Sequence, residues 1–206
     1  MIGNPSIFAI ESGITVAWDD LRWGALGFFV LHVGGFCYGL RGPHAASLGI
    51  SAGFFESHIG DLRGSHVVPF AETADAGEIA DAWQHCAGEH CESYFGLPGD
   101  EYIALVMSKD VAWLISDAEA FDDGSRVLQF DVGDRVRIIA FQSDSAVNDD
   151  WISDQAAKFS PAPLRDIWLP ADEFYGIVQQ WRDAFLAEWE SLPKMTDDEY
   201  WGTASR

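Results

Sequence analysis

Between Ala171 and Ser191, Phe174, Ile177, Val178, Trp181, Phe185 and Trp189 recur at the spacing of one helical face. No other feature of the chain constrains its fold as tightly. A helix of that length is about 30 Å long, and its apolar stripe needs a layer to lie on. The ends are marked as well. Pro170 sits at the start, Asp172 and Glu173 favour the positive end of the helix dipole, and Pro193 stops the helix.

The rest of the chain supplies that layer. Ile7–Glu11 and Ile14–Trp18 predict strands, with Ser12-Gly13 as a turn or bulge between them. Gly24–Tyr38 is apolar on both faces and predicts a buried strand, broken at Gly34-Gly35. Leu48, Ala52, Phe55 and Ile59 form a short helical stripe that Gly49 and Gly53 weaken. Asp75 and Glu78 have capping-box spacing, followed by Ile79, Trp83 and Cys86 on one face. After Gly96-Leu97-Pro98-Gly99, two hairpins are expected. One pairs Tyr102–Met107 with Val111–Ser116, and the other pairs Arg126–Phe130 with Arg135–Phe141. Ser143–Asp154 is a polar loop. The class is α+β, a mostly antiparallel sheet with hairpins packed by two or three helices, in one domain over 1–206 with residues after 194 frayed.

Composition then limits the partners. The chain carries 33 acidic side chains against 12 basic ones, a net charge of -21. The excess is spread through the sequence, -8 over residues 1–99 and -13 over residues 100–206. With 48% hydrophobic residues and nine Trp, this is a folded core under an acidic surface and not a disordered acidic tail. Such a surface repels nucleic-acid phosphates and anionic lipid, and attracts basic proteins over about one Debye length, 8–10 Å. The same acidity also serves solubility. The N-terminus lacks the basic region of a signal peptide, and Gly24–Leu40 is too short to span a bilayer. Three cysteines at irregular spacing give no disulfide framework, so a reducing cytoplasm is expected.

Catalytic signatures are weak. His85, Cys86, His90 and Cys91 have metal-ligand side chains, but no second pair follows at zinc-finger spacing. The glycines from Gly34 to Gly42 fit neither a phosphate loop nor a dinucleotide fold, and no Gly-x-Ser-x-Gly elbow occurs. Cys37 would need a histidine brought to it by the fold. No catalytic residue, metal or cofactor is assigned. Acidic pairs beside an aromatic suit a different role, the steering and anchoring of a basic protein partner. The candidates are Asp149, Asp150 and Trp151, then Asp122 with Asp123 and Asp19 with Asp20.

One segment is distinctive. Gly3-Asn-Pro5-Ser-Ile-Phe8-Ala-Ile-Glu11, followed by Trp23-Gly24, Gly34-Gly35 and Gly39, resembles the opening of the immunity protein 42 family. These are bacterial immunity proteins of polymorphic toxin systems. The family often has Gly-Asp-Pro where this chain has Gly3-Asn4-Pro5, and the resemblance covers roughly the first fifty residues. It implies a cytosolic protein that binds and neutralises a toxin domain from sister cells, with no catalysis and no cofactor. Many such toxins are basic nucleases, which an acidic inhibitor would match. Phe8, Ile10 and Glu11 are then fold determinants, and Gly3 and Pro5 shape the approach to the first strand. Two alternatives remain open, an acidic regulatory module with a non-toxin partner and an enzyme using the His/Cys segment or a carboxylate pair.

Overall fold

A computed structural model describes residues 1–19, 25–52, 63–86, 93–113, 118–143 and 162–196. Two antiparallel sheets organise them. In the first, β1 (Ile2–Asn4), β2 (Phe8–Ala17), β3 (Ala25–Val33) and β4 (Phe36–Tyr38) lie side by side in chain order, and β5 (Ala46–Ser47) also pairs with β3. The second is β6 (Ser125–Val132), β7 (Arg135–Gln142) and β8 (Arg165–Pro170), again in chain order. The helices packed on these sheets include α1 (Ala76–Cys86), α2 (Gly99–Ser108) and α3 (Ala171–Ser191). The class is α+β, as the patterning predicts.

The two strands expected at the N-terminus are one. β2 runs unbroken through Ser12 and Gly13, which pair with Phe29 and Phe28, and the irregularity comes later as a bulge between Ile14 and Val16. Gly34 and Gly35 adopt left-handed φ of 57° and 84° and turn β3 into β4, where the sequence places its break. Leu48 and Ala52 are buried on a helical segment, 48–52, while Phe55 and Ile59 lie outside the described residues.

The hairpin expected at Tyr102–Ser116 does not form. Gly99–Ser108 is the helix α2, with Tyr102 and Val106 buried one turn apart. Alternation of Tyr102, Ala104 and Val106 imitates a strand. Pro98 at the N-cap, Asp100 and Glu101 in the first turn, and Ala104, Leu105 and Met107 are equally compatible with a helix. Only the second half is strand-like. Ala112 bridges Leu128, and Trp113 N and Val127 O bond at 2.8 Å, so Val111–Trp113 lines the edge of β6. The hairpin of β6 and β7 forms as expected, and β8, which the patterning missed, pairs with β7 from Arg165 to Pro170.

The smaller sheet is buried on both sides. Val136, Ile138 and Ala140 of β7 meet Phe8, Ile10, Phe29 and Leu31 of the first sheet together with Phe174, Val178, Trp181 and Phe185 of α3. From the other face, Ile139 and Phe141 join Ile79 and Trp83 of α1 and Tyr102 and Val106 of α2. Period-two alternation along β7 sends successive side chains into the two cores. The long helix is docked by Trp181, whose ring meets Phe29 edge-on and whose Nε1 donates to Ser12 Oγ at 2.8 Å. It follows β8 with no loop, and Ala171 N donates to Asp134 O at 2.8 Å, satisfying one of its orphan amides. Beyond Pro193, Met195 N donates to Ala17 O at 2.7 Å.

Candidate functional site

Three stretches distant in sequence meet at the start of α3. Arg63 and Gly64, the β6–β7 turn from Asp131 to Asp134, and Pro170 to Tyr175 line a cleft of about 480 Å³. Asp134 and Asp172 are exposed on its rim, and Asp131 is buried at its base. Arg63, the cation among the described residues that line it, is bound to the Asp172 carboxylate and lies over the Tyr175 ring, 5.0 Å from its centroid. Neither member of this exposed ion pair stabilises the fold by much.

Under the cleft runs a continuous buried hydrogen-bond chain. Tyr175 Oη donates to Asp131 Oδ1 at 2.8 Å and accepts from Gln129 Nε2 at 3.0 Å and Gly64 N at 3.3 Å. His66 N donates to Asp131 Oδ2 at 3.0 Å, and Trp113 Nε1 donates to Gln129 Oε1 at 2.8 Å. Each polar group enters the core with its partners, as burial requires. Burial pushes the Tyr175 phenol well above its usual range, and the neighbouring Asp131 charge adds to the effect. The phenol therefore keeps its proton across the physiological range. The network holds the cleft in shape.

A second polar cluster lies on the first sheet. Glu11 Oε2 accepts from Arg41 Nη2 at 2.6 Å and from His32 Nε2 at 2.7 Å. Glu11 thus ties β2 to β3 and to the segment after β4, which supports its reading as a fold determinant. Phe8 and Ile10, its neighbours in the opening motif, are fully buried.

Three of the acidic candidates from the sequence, Asp19, Asp122 and Asp123, fall among the described residues. Asp19 is exposed just past the end of β2. Asp122 and Asp123 are half-buried in the turn before β6. Asp123 faces inward, with Oδ1 accepting from Ser125 N at 2.9 Å and Oδ2 from Ser125 Oγ at 2.9 Å and Gly39 N at 3.3 Å. That carboxylate joins β4 to β6. Asp20, Asp149, Asp150 and Trp151 lie outside the described residues, as do His90 and Cys91. The cleft has no local signature in the sequence, because its acids are spread over positions 131 to 172. One signal was present: Gln129 and Asp131 are polar on the same face of a strand as the core residue Val127.

No curated protein matches this chain. Among solved structures, CdiI from Burkholderia dolosa AUO158 aligns over 89% of this chain and 98% of its own, at 15% identity and a TM-score of 0.49. The immunity protein 42 family matches over residues 1–184, so the likeness seen in the opening motif extends through both sheets and into α3. The chain belongs to the immunity protein 42 family.

Proposed function

We propose that this immunity protein neutralises a basic toxin domain by forming a one-to-one complex that covers the toxin's active site or the surface beside it. Neutralisation of a cognate toxin follows from the family; the basic character of the toxin is inferred from charge. The observation that carries it is the net charge of -21. A field of that sign concentrates a cationic partner and speeds encounter without chemistry. Binding alone then suffices, so the protein acts as a stoichiometric inhibitor in the cytoplasm that the toxin reaches, as one unit over 1–206.

The acidic cleft is the contact we favour among the described residues. It offers a recessed floor, two exposed carboxylates and a rigid hydrogen-bonded base, a shape that receives one long basic side chain of the partner. The Asp149-Asp150-Trp151 segment is the second part of the proposed contact, an aromatic anchor between charges.

Mixing with the cognate toxin tests the reading. Toxin activity is expected to disappear near equimolar inhibitor, and undiminished activity at molar excess would refute it. Rising salt should slow association more than it speeds dissociation; an on-rate indifferent to salt removes the basic partner. The double reversal D134K/D172K should cut the on-rate at low salt by about tenfold. An unchanged on-rate there removes the cleft and leaves neutralisation standing.

A further inference from the structure

The Glu11–Arg41–His32 cluster continues outward to a thiol. His32 of β3 and Cys37 of β4 are direct cross-strand partners, so their side chains share one face of the sheet. Cys37 Sγ lies 3.5 Å from His32 Nδ1, while the opposite ring nitrogen, Nε2, is 2.7 Å from Glu11 Oε2. A carboxylate only accepts, so the proton of the neutral ring sits on Nε2 and Nδ1 is left as the acceptor facing Sγ. The His32 and Glu11 side chains are 8% and 18% exposed, whereas Cys37 is exposed. Nucleophile, base and orienting carboxylate therefore stand in a line, with only the nucleophile open to solvent. Arg41, on Glu11, is a cation beside this line. Phe36 and Tyr38 flank Cys37 on the strand and so face the other way, where Arg165 stacks on Phe36 at 4.1 Å and the buried Tyr38 hydroxyl donates to Pro163 O.

We propose that Cys37 is a base-assisted reactive thiol that forms a mixed disulfide with a neutral or cationic low-molecular-weight disulfide. The Sγ proton passes to His32 Nδ1, and Glu11 stabilises the imidazolium. Sγ then bonds to one sulfur of the disulfide, whose S–S bond breaks, and the departing thiolate takes up the proton. Cys37 is oxidised and the released half is reduced to a thiol, so atoms and electrons balance within the pair. Anionic disulfides are disfavoured because the whole chain carries -21. The reaction is a modification of this protein and not a turnover, and it stands independently of how the toxin is bound.

Magnitude sets the test. An ordinary thiol is a few per cent thiolate at pH 7, so its rate rises about thirtyfold on going to about pH 9.5. A thiol already assisted by His32 gains far less, no more than about threefold. Stopped-flow reaction of dithiodipyridine, a neutral disulfide, with the full chain carrying C86S/C91S reads this quotient, in which steric access cancels. Intact mass confirms a single addition, and its loss in C37S/C86S/C91S places the addition on Cys37. We expect a rise of about threefold or less in the C86S/C91S chain and a return to about thirtyfold when His32→Asn is added, with Glu11→Gln between. A thirtyfold rise with His32 in place overturns the proposal on the folded chain alone, whether or not the His32→Asn protein folds. An equally flat profile in a folded His32→Asn protein overturns it too.

Discussion

Gly3 illustrates how much a single position can decide. Its φ is +98°, and a Cβ there would stand 2.5 Å from the carbonyl oxygen of Phe8 on the paired strand. Strain and clash act together, so Gly3→Ala should destabilise the protein by about 2 kcal/mol or more, read as a lowered urea midpoint. The tyrosines make a different prediction. Tyr38, Tyr102 and Tyr175 are each pushed up from an ordinary value of 10.0, foremost by burial. Since the folded state holds these phenols protonated, their contribution is intact below pH 10.0 and is lost as pH climbs toward the raised folded values. Alkaline titration should show tyrosinate absorbance from these three only together with loss of near-ultraviolet dichroism. A smooth ionisation in the folded protein would contradict their burial.

Elements show where patterning and tertiary context part. α1 begins where Asp75 and Glu78 announce it, and Asp75 Oδ1 accepts from Gly77 N at 2.7 Å and Glu78 N at 3.3 Å. Asp75→Ala should therefore cost about 1 kcal/mol in equilibrium denaturation, the usual worth of an N-cap. α3 keeps the bounds its stripe and prolines define. α2 does not obey the same reading, because Tyr102, Ala104 and Val106 satisfy period two while Tyr102 and Val106 also satisfy a helical turn. A ten-residue segment apolar at five or six positions supports either periodicity. What decides is the shape of the neighbour it packs on, here Phe70 and Phe130. β8 carries no strand pattern for a related reason: Arg165, Asp166 and Trp168 break any apolar alternation. Their roles are contextual, since Asp166 receives a bidentate pair from Arg137 at 2.9 and 2.8 Å and Trp168 lies under Arg135.

At the level of the whole molecule, charge dominates. A net charge of -21 on a compact chain is self-repulsive, and salt screens it. Calorimetry from about 10 mM to about 200 mM sodium chloride at pH 7 should show Tm rising, because the expanded unfolded chain is relieved less by screening. A flat Tm would mean that ion pairs such as Arg137–Asp166 offset the repulsion locally. The same field that strains the fold is the proposed means of attracting a basic toxin, so salt should stabilise the inhibitor while slowing its association. Among the described residues, no helix is long and apolar enough to cross a membrane.

Taken by itself, the sequence determined the class, the long helix, the Gly34-Gly35 turn of the first sheet, the capped start of α1 and the sign of the surface. Each depends on local periodicity, on backbone sterics or on a count of charges, all of which a linear chain carries. Membership of the immunity protein 42 family was legible in Gly3–Glu11 for the same reason, as a local string. Only the tertiary structure decided that α2 is a helix, that Asp131, Asp134 and Asp172 face one cleft, and that Cys37 sits against His32 backed by Glu11. Those depend on strand register and on segments brought together from positions tens of residues apart. Register places His32 opposite Cys37, and a slip of one residue would have turned each to the other face of the sheet.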